Sequence, residues 1–207
     1  MTLFLGKTAI SPVINVGGGS VTPSTKYKLL QRVIDDSNNE IGTVSGFFTD
    51  ANNVEYAVVC LDSTYRNSSA QWASAEGNVT NMPLYSDWTI WEAPETATEN
   101  TTLILASKTS SACTHCRSKS FTIGGVTYYG QLPNIIELVD IARHRTAINA
   151  ADTSGGSITI ATNKDYWSSS QYNSSYSWYI DGYTGRVLFS GMTANCYVCP
   201  VLEIPLS

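Results

Sequence analysis

Two local cysteine pairs, Cys113-Thr-His-Cys116 and Cys196-Tyr-Val-Cys199, are the sharpest chemical motifs in the chain. Thiolates at that spacing bind tetrahedral zinc when each pair sits on a turn. Cys196 to Cys199 reads as part of the last strand, however. There an offset of three residues sends the two side chains to opposite faces and prevents joint chelation. The gap between the pairs is also far longer than in a compact zinc ribbon. The cysteines therefore read as reduced, partly buried thiols, with no cofactor expected and with Cys113 and Cys116 as the residual metal candidates. The cysteine count is odd and no exporting signal is legible, so a disulfide framework is not expected either.

Acid-base and nucleophilic catalysis find little to work with. Of the two histidines, His115 lies between cysteines at a helix end, and His144 sits in a basic cluster that suits a helix C-terminus. The sequence has no G-x-S-x-G elbow, Walker loop, H-E-x-x-H helix or EF-hand loop. Asp35, Asp36, Asp50 and Asp62 fall at strand ends and turns, where carboxylates bond the local backbone. No enzyme is expected.

A different chemistry dominates the C-terminal quarter. Nine of the 22 aromatic side chains lie between Asp165 and Tyr197, interleaved with Ser and Asn. Rigid rings supply contact area at low ordering cost and small polar residues supply adaptable hydrogen bonds, which is the composition of a recognition surface. The competing reading makes Trp167 and Trp178 core anchors. Strand alternation separates the two. With Trp178 and Ile180 inward, Ser177, Tyr179 and Asp181 face outward, and with Val187 and Phe189 inward, Arg186 faces outward. The expected ligand-binding residues are Tyr172, Asn173, Tyr179, Tyr183, Arg186 and Asn195.

The elements that must carry this surface follow from local patterns. Residues 1–16 read as an extended apolar peptide, with Ile10, Val13 and Ile14 β-branched and Pro12 barring a helix. Gly17-Gly-Gly-Ser20 and Val21-Thr-Pro-Ser-Thr25 are linker chemistry, so the main domain starts near Lys26. Strands are predicted over Tyr27 to Ile34, Gly42 to Phe48 and Val54 to Leu61, joined by turns at Asp36 to Asn39 and Asp50 to Asn53. Residues 63–100 read as long loops pinned by Trp72, Trp88 and Trp91. The stripe Ile135, Leu138, Val139 and Ala142, with capping-box spacing of Asn134 and Glu137 and the cluster Arg143 to Arg145, predicts a helix from Asn134 to Arg145. A second helix is read over Leu103 to Cys116. Strands return from Asp165, with turns at Tyr183-Thr-Gly185 and near Gly191. The sum is an α+β domain, not alternating βαβ units.

Composition bounds the rest. A chain of 207 residues, 43% hydrophobic and 14% charged, builds one sizeable core with an appendage. A formal charge of −5 repels a phosphate backbone and argues against nucleic acid. No segment approaches the run of roughly 18 apolar residues that a membrane span needs.

These residues resemble a known family. Gly130-Gln-Leu-Pro-Asn-Ile-Ile-Glu-Leu138 is similar to the "RLPTxxEL" helix start of the C-type-lectin-like domains found in the collagen-like adhesin C-terminal family and the Fibrobacter-type paralogous surface domains. Tyr166-Trp-Ser-Ser169, Tyr176-Ser-Trp178 and Tyr197-Val-Cys-Pro-Val201 resemble its "YWSS…YAW…YVRPV" ending. The likeness covers roughly residues 101–204. It implies a C-type-lectin-like fold with two small antiparallel sheets, two helices and long surface loops, and a role in adhesion. Cys199 stands where the family usually has Arg, and the calcium-binding sugar triplets of true C-type lectins do not occur.

The opening Phe4-Leu-Gly-Lys-Thr-Ala-Ile-Ser-Pro-Val-Ile14, followed by Gly17-Gly-Gly19, resembles those of structural proteins of gut bacteriophages, including head and tail fibres. Together the likenesses imply a virion surface protein. Residues 1–25 would anchor it to capsid or tail proteins, and residues 26–207 would form a recognition domain for a host-surface glycan or protein, arranged as a homotrimer. Two alternatives are a capsid decoration protein without ligand and a metal-dependent cysteine oxidase. The second resembles formylglycine-generating oxidases and would use Cys196 with Cys199, whose opposed faces argue against it.

Overall fold

In a computed structural model of the chain, the described residues are 26–86, 90, 91 and 93–206. The expected anchor residues Ile10, Pro12, Val13 and Ile14 lie outside them, as does Trp88.

The first strands are β1 (Arg32–Ile34), β2 (Glu40–Thr49) and β3 (Glu55–Leu61). Their turns form because Asp35 and Asp50 each accept hydrogen bonds from two backbone N–H groups ahead of them, with Asn38 and Asn53 supplying the left-handed residue. Residues 27–31, expected as strand, turn back instead. Leu30 sits at φ 62° and its N–H donates to Val44, so only three residues of β1 remain at the sheet edge.

The chain continues through β4 (Asn67–Gln71), α1 (Ala97–Ser107), α2 (Ser111–Arg117), β5 (Ser120–Ile123), β6 (Val126–Tyr129) and α3 (Ile135–Ala151). Then follow β7 (Asp165–Gln171), β8 (Tyr176–Asp181), β9 (Arg186–Gly191), β10 (Asn195–Val198) and β11 (Val201–Pro205). There are thus three α-helices among the described residues, not the two expected, because Ser110 caps a separate α2 by accepting from Cys113 N–H. Helix α3 starts at the expected capping box but runs past Arg145. Ile148 extends the apolar stripe by another turn, which puts the basic cluster mid-helix.

Among the described residues the strands pair as three sheets, in the orders β1-β2-β3-β11, β4-β10-β7-β8-β9 and β5-β6. Pairing is antiparallel except between β10 and β7. The protein is therefore mixed α+β with small sheets. Helix α3 packs between the inner face of the first sheet and one face of the second, burying Ile135, Leu138, Ile141 and Ile148 with Val58, Tyr166 and Ile180. It approaches β2 so closely that a Cβ on Gly46 would meet Asp140 Oδ2 at 2.6 Å. The other face of the second sheet packs under α1 and α2 around Trp72, Trp167, Cys113 and Cys116. The β5-β6 hairpin covers the outer face of the first sheet with Phe121, Ile123 and Tyr128. Strand β3 is thus buried on both faces from Ala57 to Leu61, which accounts for its unbroken apolar run.

A carboxyl pair fastens these layers. Glu203 on β11 accepts from Ala97 N–H (2.7 Å), Thr98 N–H (2.8 Å) and the Thr98 hydroxyl (2.5 Å) at the start of α1. Glu137 caps α3 by accepting from Asn134 N–H at 2.8 Å. Burial, then the neighbouring Glu203, pushes the Glu137 carboxyl well above the usual range.

Candidate recognition surface

The aromatic residues of β7 to β9 divide between the two faces of one sheet. On one face Trp167 is fully buried, its indole N–H donates to Ala70 O at 2.9 Å, and Tyr179 packs edge-on against it. Tyr179 was expected to face solvent. It is half-buried over the second core, because the face to which alternation assigns it packs under α1 and α2. Ser177 on the same face is fully buried, again against expectation.

On the other face Trp178 forms a floor, with its indole N–H donating to Tyr85 O at 2.8 Å. Phe189 lies directly across from it on β9. Tyr172 stacks on Phe189 with centroids 4.1 Å apart and planes 10° apart, and both stand nearly perpendicular to Trp178. Tyr176 meets Phe189 edge-on at 5.5 Å. Phe189 was expected inward, yet it is 46% exposed and Tyr176 41%. The reason is positional: β9 is the edge of its sheet among the described residues.

The loop that delivers Tyr172 and Tyr176 is preset. Asn173 Oδ1 accepts from Ser175 N–H (2.8 Å) and Tyr176 N–H (3.0 Å), and Tyr172 N–H donates to Tyr176 O. Asn173 thus shapes the surface from below. Of the other expected residues, Tyr183 is 82% exposed at the β8-β9 turn, held by Asp181, which accepts from the backbone N–H of Tyr183 and Thr184. Arg186 is exposed opposite Asp181 at the same end. Asn195 is exposed on β10 opposite Gln71. The structure therefore joins Tyr172 with Asn173 at one end of the sheet and Tyr183 with Arg186 at the other end. Tyr176 and Phe189 were missed, although the cross-strand register of a hairpin closed at Tyr183 to Gly185 would have paired Phe189 with Trp178.

The cysteines make no comparable site. All five are buried and unbonded. Cys196 belongs to the second core and Cys199 to the first, on opposite faces. Burial pushes the Cys113 thiol up to about 12 and Cys116 well above its ordinary value, as expected of packed thiols. No three His, Cys, Asp or Glu side chains among the described residues converge to hold a metal. Sequence reasoning missed a pairing between Cys60 and Cys199. The neighbouring Cys199 thiol lowers the Cys60 pKa and is itself raised, and buried Arg66 Nη2 lies 4.0 Å from Cys60 Sγ. Arg66 also donates to Leu61 O (3.1 Å) and Ile158 O (3.0 Å) and sits 3.7 Å from Asp152. This group is sealed from solvent and serves as internal packing.

No protein-family model matches the chain, and no curated protein matches it. No helix among the described residues is long and apolar enough to cross a membrane.

Proposed function

We propose that the chain is a non-enzymatic recognition module displayed on a virion surface. In this reading residues 1–25 anchor it to capsid or tail proteins. The α+β domain, C-type-lectin-like in character, presents its ring cluster as a homotrimer to a host-surface glycan or protein. The observation that carries the reading is the meeting of Tyr172, Tyr176 and Phe189 over Trp178, with two of the rings more than two-fifths exposed. Preordered rings at a sheet edge lose little entropy on contact and offer apolar area where the surrounding surface is polar. Three copies side by side would compensate for weak single sites.

The test is adsorption of the full chain to host cells, with the double variant Tyr176→Ala and Phe189→Ala alongside. The reading expects lost adsorption with an unchanged unfolding midpoint and an unchanged trimer. Undiminished adsorption contradicts it, and loss of the trimer alone would favour the decoration protein.

A further inference from the structure

Among the described residues the two larger sheets end on the edge strands β1, β11, β4 and β9, and the first three are blunted. Strand β1 is three residues long and its pairing slips between Val33 and Ile34. Strand β11 is bridged at Val201 by Gln131 and ends in Pro205. Strand β4 loses register with β10 between Cys196 and Val198, and the N–H of Gln71 at its end is taken by Ser111 Oγ at 2.8 Å. Such devices keep an edge from taking up another strand. Strand β9 has none of them. Its six residues, Arg-Val-Leu-Phe-Ser-Gly, hold one register with β8 throughout, with no proline, lysine or bulge, and its one charged residue stands first.

The outer backbone of β9 follows from the hydrogen bonds of the hairpin. Met192 N–H donates to Ser175 O at 3.1 Å, one step beyond the pair Tyr176 and Gly191, and in an antiparallel ladder bonded and non-bonded pairs alternate. Ser190, Leu188 and Arg186 therefore spend their backbone groups on β8. The N–H and C=O groups of Val187 and Phe189 point away from β8, and no described residue bonds them. They stand two residues apart, the spacing at which an extended chain presents its own outward donors and acceptors. Phe189 brings its exposed ring from the ring cluster to one face of this edge, and Leu188 is exposed on the other. A glycan has no backbone repeat to match that row of groups, whereas an extended peptide does.

We propose that the partner at the ring cluster is a protein that adds an extended segment to β9 as a further strand. The segment hydrogen-bonds to the backbone of Val187 and Phe189 and lays an apolar side chain beside the Phe189 ring. This rests on the ring-cluster reading and narrows its ligand from glycan or protein to protein.

The experiment is adsorption of the full chain to host cells, intact and protease-shaved, with Val187→Pro and Val187→Ala alongside. Proline at 187 removes an outward donor and spares the ladder to β8, which an edge strand tolerates, while alanine removes the side chain and keeps the N–H. Val187→Pro should adsorb at least about tenfold less than Val187→Ala, with the same unfolding midpoint, because the ring also fills the space an incoming carbonyl needs. Shaving the cells should abolish adsorption of the wild-type chain, an arm that needs no variant. Equal adsorption of the two variants, or undiminished adsorption to shaved cells, would overturn the strand addition, while lost adsorption of the Tyr176→Ala and Phe189→Ala double variant would still uphold the ring cluster. A changed oligomeric state in Val187→Pro alone would also overturn it, because a second copy would then be the occupant of β9.

Discussion

The two faces of β8 begin with the same kind of residue and end in different roles. On one, Tyr179 lies on Trp167 on the side covered by α1 and α2, and even Ser177 is sealed. On the other, Ile180 is buried under α3, while two and four residues earlier Trp178 and Tyr176 pass out from the helix into the ring cluster. Alternation decides which face a side chain joins. Whether that face is wet depends on which element covers it and how far along the strand the cover extends.

Four variants break or sharpen this contrast. The largest effect belongs to the sealed face: Trp167→Ala removes a fully buried indole and its bond to Ala70 and should cost about 3–5 kcal/mol in urea unfolding. Next comes Glu137→Gln, which tests the link between α3 and α1, the elements that cover the two faces. The folded-state pKa of Glu137 is raised, so its contribution is complete below about pH 4.3 and is lost as pH rises through the folded value, by about 1.4 kcal/mol per unit raised. The stability of wild type relative to the variant, followed by urea unfolding across pH, should therefore decline with rising pH.

On the open face, Phe189→Ala should cost only about 1 kcal/mol, because nearly half of the ring is already in water, while adsorption to host cells falls sharply. The smallest change is Tyr183→Ala. This ring is exposed at the far end of the sheet, and its loss should shift stability by less than about 0.5 kcal/mol and leave adsorption intact. A Tyr183 effect on adsorption as large as that of Phe189 would erase the distinction between the two ends.

What the sequence made legible was local chemistry. The α3 capping box and the turn at Asp50 stand where spacing put them, and the turn read from Asp36 is led by Asp35 one residue earlier, since each is settled within a few residues. Tertiary matters escaped. Strand β4 and the buried Trp72 lay in a stretch without clean periodicity, because β4 takes its order from pairing with β10 far along the chain. The β5-β6 hairpin, turned at Gly124 and Gly125, covers a face whose existence depends on the first sheet. In the ring cluster, Tyr172 and Asn173 were picked out by composition. Tyr176 and Phe189 required the cross-strand register and the knowledge that β9 is an edge.

The most direct measurement is hydroxyl-radical footprinting of the full chain, alone and on host cells, read at Tyr176, Phe189 and Trp167. The account predicts that Tyr176 and Phe189 oxidise readily in the free chain and are protected on the cells, while Trp167 is protected in both. Protection of Tyr176 and Phe189 already in the free chain, or equal oxidation with and without cells, would contradict it.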